Sequence, residues 1–162
     1  DGKMNGIGTE EMLDGSKYTG SFKNGVKNGK GRFIWPDGSY YEGDIKENNF
    51  EGRGLYVWSD GRSYEGEWYR NEFSGKGVYT YKDKSVYEGE FIKHKRSGLG
   101  RMRYGPDREY YGFWVNDKQE GLGCYTIGND VKMGYWFHGG LINRLAPDKY
   151  KQKWDEEVVK RR

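Results

Sequence analysis

The chain has 162 residues, a length for one domain or one array of repeats, and its charge is near balance, 28 basic against 25 acidic residues for a net +3. That balance argues against nucleic acid as a partner, because a surface built for it carries a larger and more one-sided basic excess. Only 33% of the residues are hydrophobic, a level that favours disorder, but 17% are aromatic, and Tyr and Trp bring large apolar faces with a polar tip, enough for a thin structure without a thick oily core.

Cys124 is the single cysteine, which rules out an intramolecular disulfide and fits a reducing compartment. No stretch reads as a secretory signal, a bilayer span or an N-glycosylation acceptor. The chain opens on Asp1 rather than Met, and in mid-repeat, which predicts that the native start lies upstream.

In chain order, residues 1–17 read as the back half of a repeat, with Gly6 and Gly8 as a glycine pair and Asp14-Gly15 as a turn. Full copies then start at Tyr18, Tyr41, Tyr64, Tyr87 and Tyr110, each 23 residues after the last, and self-similarity at a fixed period is the mark of a repeat architecture. Two positions on stand Gly20, Gly43, Gly66, Gly89 and Gly112, and two further on Phe22, Ile45, Trp68, Phe91 and Trp114. A Gly-x-Gly pair follows in every copy, for example Gly75 and Gly77. The copies run over residues 18–40, 41–63, 64–86, 87–109 and 110–131, and 132–143 is a partial sixth carrying Gly134 and Trp136.

Each copy reads as two strands. Side chains alternate along a strand, so Tyr64, Gly66 and Trp68 share one face with Gly75, Gly77, Tyr79 and Tyr81, while Glu65, Glu67 and Lys76 take the other. A ring lying flat on a glycine rescues an otherwise weak strand position. Asp14-Gly15, Asp37-Gly38 and Asp60-Gly61 are hairpin signals; Asp83-Lys84, Asp107-Arg108 and Asn129-Asp130 lack the glycine, which predicts turns of another type. Short links force antiparallel neighbours. The predicted fold is all-β: a single-layer antiparallel β-meander of stacked β-hairpins with about twelve strands, at about 4.8 Å each, twisted into a curved rod with an aromatic groove.

The run Tyr-Glu-Gly-Glu-Trp, then Asn-Gly or a similar turn, then Gly-x-Gly, then Asp-Gly, at a period of 23, resembles the MORN repeat (membrane occupation and recognition nexus) over nearly all of residues 1–143. The resemblance implies stacked hairpins in one layer with an aromatic groove and, in many members, a scaffold role at the cytoskeleton or a membrane.

Residues 144–162 differ in kind. Pro147 and Asp148 suit a helix start, and Tyr150, Trp154 and Val158 recur on one face, so residues 147–160 are predicted to form a helix that docks on the sheet end and covers a strand edge. A linker helix running on to a further segment is the alternative.

No catalytic pattern survives inspection. The Gly-x-Gly pairs do not extend to G-x-G-x-x-G, and His94 and His138 stand alone, read as hairpin-loop residues. Glu42, Glu65 and Glu88 are expected to pair across the hairpin with bases such as Arg53 and Lys76 rather than hold a metal. No cofactor and no metal are expected.

Three surfaces are candidates for binding. The first is the aromatic groove, with Phe33, Trp35, Tyr41, Tyr56, Trp58, Tyr64, Trp68, Tyr79, Tyr81, Phe91 and Trp114, to which an extended or helical partner segment would bind; the plain alternative is that these rings only pack on one another. The second is an apolar stretch on the normally charged face, Tyr111, Phe113, Val115, Leu122, Met133, Tyr135 and Phe137, which requires a cover: either the tail helix through Tyr150, Trp154 and Val158, or a second copy of the chain in a homodimer. The third is a basic cluster, Lys93, Lys95, Arg96, Arg101 and Arg103, a candidate for an anionic membrane surface, with a solvated surface as the alternative. Phe50 and Phe73 are placed on hairpin loops as exposed rim contacts.

The sequence therefore reads as a non-catalytic cytoplasmic scaffold or adaptor that binds a peptide of a protein partner and tethers it to a cytoskeletal or membrane-associated assembly. Alternatives are an anionic phospholipid-binding module and a targeting domain cut from a larger protein.

Overall fold

The structure, a computed structural model, describes residues 2–162. The described residues form thirteen strands and one C-terminal helix, and within each of two compact units strand follows strand in chain order as an antiparallel meander. The chain divides into two compact units, Asp1–Asp83 and Lys84–Arg162. The first holds β1 (Gly6–Glu11), β2 (Lys17–Lys23), β3 (Val26–Ile34), β4 (Tyr40–Lys46), β5 (Asn49–Val57), β6 (Ser63–Tyr69) and β7 (Glu72–Thr80). The second holds β8 (Val86–Ile92), β9 (Lys95–Gly105), β10 (Arg108–Val115), β11 (Lys118–Ile127), β12 (Asp130–Phe137), β13 (Gly140–Arg144) and the helix α1 (Pro147–Lys160). The strand beyond the expected twelve is β13, which pairs with β12 and forms the last edge.

One module recurs five times. Two glycines face each other across the hairpin, as in Gly66 opposite Gly77, and the ring of the preceding tyrosine lies across the pair. A methyl on Gly77 would overlap the Tyr64 hydroxyl, so only a bare backbone admits the ring. The Tyr64 hydroxyl donates to the Glu67 carbonyl at 2.8 Å, and Tyr18, Tyr41, Tyr87 and Tyr110 donate in the same way to the carbonyl three residues on. All five tyrosines are fully buried. Burial pushes the Tyr41, Tyr64 and Tyr110 hydroxyls well above the ordinary tyrosine range.

The two glycines of each Gly-x-Gly do different work. The second lies under the tyrosine, whereas the first, Gly75 in the third full copy, sits in a bulge between the pairs Gly66–Gly77 and Trp68–Phe73 with φ of +96°. A carboxylate from the front strand satisfies the amide left over by the bulge: Asp44 Oδ2 accepts from the Arg53 N–H at 2.9 Å, Glu90 Oε2 from Leu99 at 2.7 Å, and Glu67 from Lys76. The expected placing of Glu42, Glu65 and Glu88 opposite bases holds in register for Glu42, which faces Arg32, and for Glu88, which faces Arg101, but it is corrected for Glu65 and for Arg53 and Lys76 as the bases. Leu55 lies opposite both Glu42 and Glu65, and Arg53 lies opposite Glu67.

The turn after each front strand has two residues with positive φ, such as Arg70 (+46°) and Asn71 (+68°), the conformation that matches the twist of the strands it joins. Its second residue also links hairpins. Asn71 donates its amide to the Phe50 carbonyl at 3.0 Å and accepts the Phe50 amide on Oδ1 at 2.8 Å; Asn48 does the same with Lys27, and Asp117 with Arg96. Because the turn is so tight, Phe50 and Phe73 lie on β5 and β7 and not on loops. Phe50 stacks on Tyr41 at 3.8 Å and 8°, and Phe73 on Tyr64 at 4.4 Å and 24°, so both roof the module. Their reading as exposed loop residues is overturned.

The Asp-Gly turns close differently. Gly38 (φ +88°) donates to the Trp35 carbonyl, while Asp37 accepts the Ser39 hydroxyl at 2.6 Å and the Ser39 amide at 2.9 Å, which lowers the Asp37 carboxyl below its ordinary value. Among the departures, Lys84 takes φ of +74°, so the left-handed conformation survives there without glycine, against expectation. The other two do differ in type, β9 to β10 and β11 to β12 being joined by the two-residue links 106–107 and 128–129.

These contacts set an order of costs. Tyr64→Phe removes one hydroxyl donor and is expected to cost about 1 kcal/mol; Gly77→Ala forces the ring off the backbone and is expected to cost more, about 2 to 3 kcal/mol. Urea denaturation of the two variants checks this, and the reverse order would contradict the module.

Candidate functional site

In the first unit, rings of the aromatic face run through successive contacts. Phe33 stacks on Trp35 (5.6 Å, 12°), Trp35 meets Tyr56 (5.3 Å), Tyr56 meets Trp58 (4.6 Å), Trp58 meets Tyr79 (5.6 Å) and Tyr79 meets Tyr81 (4.5 Å). Trp35 and Trp58 owe their places to the Asp-Gly turns, whose glycine amides they accept. Phe33, Trp35, Tyr56, Trp58 and Tyr81 are half-buried, with part of each ring open to solvent.

The remaining groove residues lie deeper. Tyr41, Tyr64, Trp68 and Tyr79 are buried in the first unit, and Phe91 and Trp114 in the second. Trp68 stands edge-on to Tyr41 (5.4 Å, 88°) and to Tyr64 (5.3 Å, 87°), and its indole N–H donates to the Gly54 carbonyl at 3.0 Å. Trp114 stands in the same way between Tyr87 and Tyr110 and donates to Gly100 at 3.1 Å. Each tryptophan ties one copy to the one before it. These six residues form a floor that holds the repeats together, so the surface a partner could touch is narrower than the eleven residues expected.

The C-terminal apolar stretch is covered by α1. Trp154 lies against Tyr111 (5.3 Å, 41°) and Phe113 (5.4 Å, 35°), Tyr150 lies against Trp154 at 5.8 Å, and the Arg161 guanidinium sits 4.0 Å over the Phe113 ring. Phe113 occupies the place where Asp44, Glu67 and Glu90 brace the bulge in other copies, so an apolar ring replaces a working carboxylate here. Phe113 and Leu122 are buried, and Tyr111, Met133, Tyr135, Tyr150, Trp154 and Val158 half-buried; Val115 and Phe137 remain exposed. Burial raises the Tyr150 hydroxyl above its ordinary range, and burial also raises the Cys124 thiol. The helix lies over the face of the sheet; the expectation that it covers a strand edge is corrected, since the edge is β13.

The basic cluster does not come together. Arg96 stays with the aromatic face, its guanidinium 4.6 Å over Trp114 and its Nε 3.2 Å from Asp117. Arg101 sits 4.6 Å over Tyr111 and, with Arg103, approaches Glu109 at 3.9 and 3.6 Å. Lys93 is in a hairpin turn and Lys95 begins β9, both exposed. Among the described residues no three His, Cys, Asp or Glu are grouped as for a metal, and no helix is long and apolar enough to cross a membrane.

The pattern that defines the MORN repeat matches residues 18–40, 41–61, 64–86, 87–106 and 110–131. The chain belongs to the MORN repeat family. MORN repeats form a scaffold fold that often serves protein and membrane interactions and is generally non-enzymatic. Comparison with curated proteins finds no significant match.

Some parts of the MORN face escaped the sequence reading. Phe50 and Phe73 stand in register with Lys27, Arg96 and Gln119 at the same spacing of 23, which marks them as strand positions once the turn is counted as two residues. Tyr104 and Tyr125, half-buried rings 6.3 Å apart in the second unit, continue the positions of Trp58 and Tyr79 and were legible from that register.

The cover makes a specific demand on Trp154. Its replacement by Ala is expected to destabilise the second unit by about 2 kcal/mol and to raise binding of a hydrophobic dye. Thermal denaturation with dye fluorescence checks this; unchanged values in both would show that Tyr111 and Phe113 need no cover.

Proposed function

We propose that this MORN repeat protein is a non-catalytic cytoplasmic scaffold that holds a peptide segment of a partner protein on its aromatic face and so tethers it to a cytoskeletal or membrane-associated assembly. The observation that carries the reading is the row of half-open rings in the first unit, Phe33, Trp35, Tyr56, Trp58 and Tyr81, set over a floor already closed by its own packing. Large aromatic side chains with few rotatable bonds are the residues that dominate binding energy when a partner removes the remaining water. Each ring of the row rests on the floor and on its neighbours yet keeps part of its surface open, and a partner would cover that remainder. A contiguous open apolar patch of this kind marks an interaction site.

The split of the basic residues supports a protein partner over a lipid surface, because Arg96, Arg101 and Arg103 are engaged by Asp117 and Glu109 and present no common field. The test is proximity labelling with the wild type beside Trp35→Ala and Trp58→Ala, followed by titration of the recovered partner with purified chain. Loss of the partner, with affinity lowered by about 2 kcal/mol for each tryptophan, is expected; a Val78→Ala control on the opposite face keeps it. Folded tryptophan variants that bind the partner at full affinity would refute the reading.

A further inference from the structure

The sixth copy breaks the module. By register with Gly134 and Trp136, the place of Tyr110 is taken by Lys132, and the place of the second glycine, Gly123 in the copy before, is taken by Arg144, which pairs with Gly134. Where five copies bury a tyrosine ring over two glycines, this one has two cations and no ring. The result is a concavity of about 730 Å³ in the second unit, floored by Tyr104, Tyr125 and Trp136 and rimmed by Arg108, Lys132 and Arg144. That volume falls within the range of about 300 to 1,000 Å³ common for ligand sites.

Its charge is one-sided. No carboxylate lines it, and none of the three cations makes an ion pair among the described residues. Some other strand cations are matched, as Lys27 with Glu10, Lys30 with Asp44 and Arg103 with Glu109, but here three unpaired ones line a single concavity. Arg108 lies 4.6 Å over the Tyr104 ring, and Arg144 donates to the Val131 carbonyl at 3.3 Å, which orders both guanidinium groups at the rim while leaving further donors free. Trp136 is held in the floor by its N–H to the Gly123 carbonyl at 2.9 Å.

We infer that this concavity is a binding site for an acidic peptide segment bearing an aromatic residue, whose ring takes the space of the missing tyrosine while flanking carboxylates pair with Lys132, Arg144 and Arg108. A carboxylate is the natural partner of a guanidinium fork, and a ring is the natural partner of Trp136 and Tyr125. A lipid phosphate would use the cations and leave the ring-sized space empty, which is why the peptide is the occupant. The inference rests on the peptide-scaffold reading for the class of ligand, but it concerns a site made by other residues in the other unit.

Fluorescence anisotropy of a labelled acetyl-Glu-Glu-Tyr-Glu-Glu-amide with the full chain tests it. Saturable binding below about 1 mM is expected, weakened at least about tenfold when Ala replaces the probe's Tyr, and by a similar factor in Lys132→Gln. The double variant Lys132→Tyr with Arg144→Gly rebuilds the regular module, keeps the fold and is expected to lose the probe as well. Trp58→Ala leaves probe affinity unchanged. No binding at about 1 mM, equal affinity in the double variant, equal affinity for the Ala probe, or retention by phosphatidylserine vesicles without peptide binding would each overturn the inference. Loss of the probe in Trp58→Ala alone would overturn it too, yet leave the scaffold reading standing.

Discussion

Everything in this sheet depends on a tyrosine ring lying flat across two glycines. A single layer has no opposite sheet to pack against, so its core has to be made on its own surface. The glycine pair removes the side chains that would hold the ring away, the hydroxyl finds the carbonyl three residues on, and an aromatic such as Phe50 or Phe73 closes the top. Each tyrosine thereby becomes fully buried in a structure one strand thick. The tryptophans edge-on between successive tyrosines, and the asparagines bridging successive turns, pass that order from copy to copy. This is the nearest-neighbour logic of a repeat protein, with stability built from units and their interfaces.

The same constraint separates closed rings from half-open ones on one face. Rings nearest the glycines are consumed by the fold; rings at the Asp-Gly turns, Trp35 and Trp58 among them, stay half-open. On the other face a carboxylate, Asp44, Glu67 or Glu90, braces the bulge until β10, where Phe113 takes that place and α1 arrives to cover it. At the last copy the aromatic face changes in turn, with Lys132 and Arg144 replacing the tyrosine and glycine. The departures from the repeat are where this chain differs from a plain stack of hairpins.

The period of 23, the two-strand copy, the shared face of rings and glycines and the terminal helix were all legible in the sequence, because each follows from alternation, turn chemistry and helical spacing. The depth of each ring was not. Tyr64 and Tyr56 look equivalent by alternation, yet one is under Phe73 and the other is half-open, a difference set by the two-residue turn and the bulge at Gly75. The bulge likewise moved the working carboxylate from Glu65 to Glu67. Lys84 shows the limit of reading turns by residue type, since a left-handed conformation there is imposed by the hairpin and not chosen by the side chain.

The central claim is that a closed floor carries the fold and an open row carries the binding. With all six tryptophans replaced by 5-fluorotryptophan, fluorine NMR of the chain, alone and with its partner, tests this position by position. Solvent isotope shifts are expected for Trp35 and Trp58 and not for Trp68 or Trp114, and added partner is expected to move the first two resonances and leave the others in place. Movement of Trp68 and Trp114 with Trp35 and Trp58 unchanged would contradict the account.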